Sequence, residues 1–153
     1  MTRRVLFVCL GNTCRSPAAH AVAETLRAGR EFARFDSAGT GNYRAGDLPN
    51  PVSSTEGARR GHRVDHVVRQ IHPDDFQDFD LIVGMDARNI EDLERLRGVL
   101  AEGDVGTIVA TLGTTAVGAV DPLAEILPLA RAAAQAFEQR RGLVVDLDAA
   151  AER

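Results

Sequence analysis

Cysteine is scarce in this chain: there are two, Cys9 and Cys14, close together near the start. Cysteines so near each other in one loop cannot staple distant parts of a fold, which argues against a secreted disulfide framework and points to a reactive or redox thiol. Basic charge is not in excess. The formal net charge is -4, so no broad positive field exists to draw in nucleic acid or anionic lipid, and neither is expected as a partner. Any anion must be held locally. No stretch reaches the ~20 apolar residues of a membrane span, and the charged opening "MTRR" leads through an apolar run into a polar loop rather than a small-residue cleavage site. The chain reads as cytoplasmic. The four histidines, 20, 62, 66 and 72, include a single i, i+4 pair, His62 and His66, with no cysteine near them in sequence. No metal is expected, and no cofactor.

What the chain does have is a length of 153 residues with 44% hydrophobic and 26% charged content, ordinary for one soluble domain with a sizeable core. Short apolar runs, "RVLFVC" (4–9), "DLIVGM" (80–85) and "GTIVATL" (106–112), lack two-residue alternation. Strands covered on both faces read this way. "EFARFDSAGT" (31–40) is a weaker strand ending in turn residues. Between these lie helical stretches at 16–29, 52–61, 86–98 and 123–142, the first carrying Ala18, Val22 and Leu26 on one stripe and the third Ile90, Leu93, Leu96 and Leu100. Alternating strands and helices predict a small doubly wound α/β fold, a parallel sheet with helices on both sides and its ligand crevice at the carboxyl ends of the strands. The tail, 142–153, fits either a last helix or an edge strand.

The first of those strand ends is the most informative stretch. "VCLGNTCRSP" (8–17) runs from strand to helix, and Ser16-Pro17 is a helix start with a hydroxyl cap and a ring preset to helical φ. A loop of Leu10, Gly11, Asn12, Thr13 and Cys14 can turn its backbone N–H groups inward where Gly11 and Asn12 accept positive φ. Such a nest at a helix N-terminus suits a phosphate-like tetrahedral oxyanion. Arg15 adds a planar fork that grips two oxygens at once. Cys9 sits at the bottom of the same cradle, where amides and the helix dipole favour the thiolate. A thiolate below a phosphoryl group is an attacking nucleophile.

Cysteine, five residues, arginine, serine is the signature of cysteine-dependent phosphatases, and "VCLGNTCRSP" after an N-terminal strand closely resembles the low-molecular-weight protein tyrosine phosphatase family. "DSAGTGNY" (36–43), "DHVVRQI" (65–71), "FDLIVGMDARN" (79–89) and "VDP" (120–122) resemble the family's later blocks in order, over nearly the whole chain. The resemblance implies a four-stranded parallel sheet flanked by helices, a flavodoxin-like three-layer sandwich. It implies Cys9 as nucleophile, Arg15 on the phosphoryl oxygens and Asp121 as general acid. Ser16 would hydrogen-bond the thiolate, Ser37 and His66 would buttress Asn12, and Tyr43 would stand at the aromatic rim. The implied partner is a phosphorylated protein, with phosphate or another oxyanion in the loop.

Ordinary structural readings stand beside these. Asp121-Pro122 also fits a turn opener, His66 a satisfied core histidine, Tyr43 a structural tyrosine, and Asp86 and Asn89 caps of the following helix. Two departures bear on substrate. Where the family usually carries aromatics after its Asp-Pro, this chain has Leu123, and where the family more often has isoleucine it has Thr13, a form that resembles the family's protein-arginine phosphatase branch. Phosphotyrosine ranks first and phosphoarginine second. A thioredoxin-coupled arsenate reductase would need cysteines beyond Cys14, and a non-catalytic oxyanion-binding module has no use for a thiol under the anion.

Overall fold

A computed structural model describes residues 2–27, 33–100, 109–111 and 145–146. Strand β1 (Arg3–Cys9) is flanked on one side by β2 (Ala33–Gly39) and on the other by β3 (Leu81–Gly84), followed outward by β4 (Val109–Thr111) and β5 (Val145–Asp146). Every pairing is parallel, with Cys9 level with Gly39 and Val8 level with Gly84. The helices are α1 (Arg15–Arg27), α2 (Pro51–Arg59), a single turn α3 (Asp75–Asp78) and α4 (Ala87–Leu100).

The strand readings hold because β1 and β3 are buried on both faces. Val5, Phe7 and Cys9 point to one side, against Ala18, Ala19, Val22 and Ala23 of α1. Leu6 and Val8 point to the other, against Ile82, Phe76 of α3 and Leu93 of α4. An unbroken apolar run thus serves two cores at a two-residue period. Each fully buried Leu, Ile or Val contributes about 1.5–3 kcal/mol relative to exposure. The three layers are α1 on one face, the sheet, and α3 with α4 on the other.

The expected four strands are present, and the tail adds a fifth at Val145–Asp146, which settles those two residues as edge strand. Leu26 is not on a buried stripe but 41% exposed. The helix expected at 123–142, with Asp121 and Leu123, lies outside the described residues. Residues 65–71, which carry no regular pattern in sequence, run extended beside the end of β2, where Gly39 and Ile71 pair through their backbones. No helix among the described residues is long and apolar enough to cross a membrane.

The strand order β2-β1-β3-β4-β5 reverses direction of winding between β1 and β3. In open α/β sheets this switch point, at the carboxyl ends of the two strands, is where ligands bind. Cys9 ends one, and Asp86 follows the other closely.

Candidate active site

Residues 10–14 leave β1 and return into α1. Asn12 takes φ 51°, the sole positive φ of a non-glycine among the described residues, at a cost of about 1–2 kcal/mol for an ordinary side chain. Fully buried, its amide makes four hydrogen bonds that hold the turn. Nδ2 donates to Ser16 Oγ at 2.9 Å and Ser37 Oγ at 3.0 Å. Oδ1 accepts from His66 Nε2 at 2.7 Å and the Arg69 backbone N–H at 3.0 Å. The local signal for this residue was its tolerance of the left-handed region. Gly11 does not share that role: its φ is not positive, and it is small because a Cβ there would lie 2.5 Å from Tyr43 Oη.

The strained turn aims its own backbone at the thiol. Asn12 N–H donates to Cys9 Sγ at 3.2 Å, and Ser16 Oγ lies 3.1 Å from the same sulfur. Helix α1 begins at Arg15, so Ser16 lies inside its first turn and its hydroxyl does not cap it. It turns instead to the thiol, to Asn12 and to the Ala38 carbonyl at 3.3 Å. A hydroxyl has one proton: beside a thiol it points that proton at Ala38, and beside a thiolate it swings to the sulfur. Cys9 is 3% exposed, so its sulfur meets these protein groups rather than bulk water.

Neighbouring segments lock the loop from outside. Thr40 N–H donates to the Cys9 carbonyl, Gly41 N–H to that of Leu10, and Asn50 N–H to that of Thr13. Asn50 caps α2, its Oδ1 accepting from Val52 and Ser53 N–H. The carbonyls of Cys9, Leu10 and Thr13 are thereby tied to neighbouring segments. Leu10 is half exposed at the rim, and Tyr43, 65% exposed, lies along Gly11 and Gly41, each of which has room for no Cβ.

Arg15 Nη1 pairs with Asp86 Oδ2 at 2.5 Å, both side chains half buried. The other oxygen of Asp86 caps α4 by accepting from Asn89 N–H at 2.8 Å. Sequence reading assigned Asp86 the cap alone. The pairing with Arg15 depends on β1 and β3 being neighbours, which no local pattern reports. Missed too was the brace behind His66, where Arg69 bridges Asp36 and Asp75. Burial works against the Arg69 charge, yet bonds to Asp75 and Asp36 outweigh it and raise its pKa. Burial also lowers the pKa of His66, against the pull of Asp36. The structure therefore links Cys9, Asn12, Ser16, Ser37 and His66 by hydrogen bonds, sets Tyr43 against Gly11 and Arg15 against Asp86, and leaves Cys14 half buried beside Thr13.

A buried thiol that accepts a loop N–H at a β1–α1 turn, with an arginine six positions on, is the arrangement of the cysteine-dependent protein phosphatases. Residues 4–124 match the family model for low molecular weight phosphotyrosine protein phosphatase, and the chain belongs to that family. It is 41% identical to the "Low molecular weight phosphotyrosine protein phosphatase 1" of Drosophila melanogaster over 114 residues, 69% of this chain and 74% of that one. With the Homo sapiens "Low molecular weight phosphotyrosine protein phosphatase" it shares 44% over 97 residues, 61% of each chain. Among solved structures, one described as "DARP, drosophila arginine phosphatase" superposes with a TM-score of 0.76 and 26% identity, over 88% of this chain and 98% of that one.

Proposed function

We propose that this protein hydrolyses phosphotyrosine in phosphorylated proteins through a phosphocysteine intermediate. The Cys9 thiolate attacks phosphorus, forming the S–P bond as the P–O bond to the tyrosine breaks, and Asp121 gives its proton to the departing oxygen. Water then attacks phosphorus, Asp121 takes a proton from it, and the S–P bond breaks to return the thiolate and release phosphate. Arg15 and the amides of Leu10, Gly11, Thr13, Cys14 and Ser16 hold the three equatorial oxygens, matching the transition state better than the ground state, while Asn12 keeps its N–H on the sulfur and shapes the turn. Tyr43 and Leu123 flank the substrate ring.

The observation that carries this reading is the Cys9 sulfur lying within hydrogen-bond reach of both Asn12 N–H and Ser16 Oγ. A binding module has no need to prepare a sulfur. The test is Cys9→Ser, assayed on a phosphotyrosyl peptide, with wild-type protein quenched in acid and searched by mass spectrometry for phosphocysteine. Turnover should fall by several powers of ten. Retention of more than about a hundredth of the activity refutes the covalent route.

A second reading, phosphoarginine, is favoured by Thr13, whose hydroxyl lies at the loop beside Gly11 and Cys14, and by the relative described as an arginine phosphatase. Thr13→Ile should raise kcat/KM for phosphotyrosine relative to phosphoarginine about ten-fold, the ~1.4 kcal/mol of one well-placed polar contact. An unchanged ratio removes Thr13 as the selector.

A further inference from the structure

His20 on α1, Asp36 on β2 and His66 on the extended segment beyond α2 are far apart in sequence, yet one donor atom of each lies within 4.8 Å of the other two. The two imidazole rings meet edge to face with centroids 5.8 Å apart. His66 is tied to the phosphate loop through Asn12, and His20 and Asp36 stand behind it.

The hydrogen-bond network fixes where the proton on His66 resides. Asn12 Oδ1 lies 3.0 Å from the backbone nitrogen of Arg69, which can only donate, so that atom of Asn12 is the oxygen. His66 Nε2, 2.7 Å from the same oxygen, must then carry the proton. Neutral His66 has its lone pair on Nδ1, and Nδ1 faces Asp36 Oδ1 at 3.9 Å. Two lone-pair atoms facing each other repel unless a positive charge lies between them. A cation held between them, against the nearby His20 ring, removes that repulsion. Neutral imidazole is the form that ligates metals.

Asp36 is placed to share in this. Its Oδ2 is taken by Arg69, at 2.8 Å from Nη2, while Oδ1 accepts the Ser37 N–H at 2.7 Å and has lone-pair capacity left. Two carboxylates, Asp36 and Asp75, face the one guanidinium of Arg69. Local charge therefore favours an added cation. Ligands at zinc bond lengths in a tetrahedral site are roughly 3.3 Å apart, so small side-chain rotations close the cluster.

We propose that His20, Asp36 and His66 form a binding site for one divalent transition-metal ion, with Zn²⁺ the best match for two imidazoles and a carboxylate. Bound at His66 Nδ1, the ion keeps the proton on Nε2 and so fixes the tautomer that Asn12 Oδ1 requires. Its part is to brace the loop from behind. The ion touches no reacting atom, and the test of its binding needs no catalysis.

The full chain carrying Cys9→Ser and Cys14→Ser has no thiol. After treatment with EDTA it is titrated with Zn²⁺ by calorimetry and with Co²⁺ by visible absorption. One ion per chain should bind, with ligand-field bands and no thiolate charge transfer. Nitrogen-15 spectra should show the His66 Nδ1 resonance shifting while Nε2 stays protonated. Adding His20→Ala or the isosteric Asp36→Asn should weaken Zn²⁺ at least about ten-fold, with circular dichroism confirming that each variant is folded. His72→Ala, which alters an exposed His72–Asp74 pair, should leave affinity unchanged. No binding, undiminished binding in both His20→Ala and Asp36→Asn, or loss on His72→Ala alone overturns the assignment.

Discussion

Replacing Asn12 separates the two things it does. Asn12→Ala deletes four hydrogen bonds, at 2.9, 3.0, 2.7 and 3.0 Å, and leaves a β-carbon at φ 51° without the polar group that compensated it. At about 1 kcal/mol net for each bond the loss approaches 4 kcal/mol. Some partners recover: Ser16 Oγ still has the Ala38 carbonyl at 3.3 Å, and Ser37 Oγ lies 3.3 Å from His66 Nε2. The Arg69 N–H does not. The hydrogen-bond share is therefore about 2–4 kcal/mol, and the left-handed backbone adds about 1 kcal/mol for alanine.

Asn12→Gly loses the same hydrogen bonds but not the backbone tolerance. Glycine should thus be the milder substitution by about 1 kcal/mol, a contrast opposite to the usual ranking of these residues in regular structure. Urea unfolding with unchanged m-values measures both. The same variants should lose about 10–100-fold in kcat/KM, since loop amides no longer held in place cannot meet the transition-state oxygens. Equal stability of the two variants would mean that φ 51° carries no strain. A cost below about 1 kcal/mol for alanine would mean that the buried network does not hold the loop, and the account of the site would fail with it.

Asp86→Asn keeps an oxygen to cap α4 but removes the charge that orients Arg15, so stability should change by under about 0.5 kcal/mol while kcat falls about ten-fold; unfolding curves and steady-state kinetics check both, and an unchanged kcat refutes the orienting role. Asp121→Asn should lower turnover steeply for alkyl and phenyl phosphates and far less for p-nitrophenyl phosphate, whose leaving group departs without a proton. Equal loss across leaving groups would count against Asp121 as general acid.

How much of this was legible in the sequence depended on whether the information was contiguous. The nest, the thiol and Arg15 fall within ten residues, and a nest at a helix start is a local device, so its parts could be read in order. β1 and β3 were legible because burial on both faces leaves an unbroken apolar run. Asp86 was only half read: its cap is a contact within one turn, whereas its grip on Arg15 requires β1 and β3 to be adjacent, one of several orders that alternating strands and helices allow. The meeting of His20, Asp36 and His66 was invisible for the same reason, and spacing rules for metal ligands look for neighbours on one element.

The local rules that failed did so in one place. Ser16-Pro17 has the form of a capped helix start, yet the Ser16 hydroxyl bonds to Cys9 and Asn12; Gly11 reads as a positive-φ glycine, yet it is small to admit Tyr43. Asn12 alone takes the strained backbone and is buried along with Ser16 and Ser37, polar side chains that ordinarily stay near solvent. Strain and buried polarity persist only where surrounding contacts over-determine them. Here those contacts converge on one sulfur atom, so the departures from local preference, taken together, mark the same candidate site without reference to any motif.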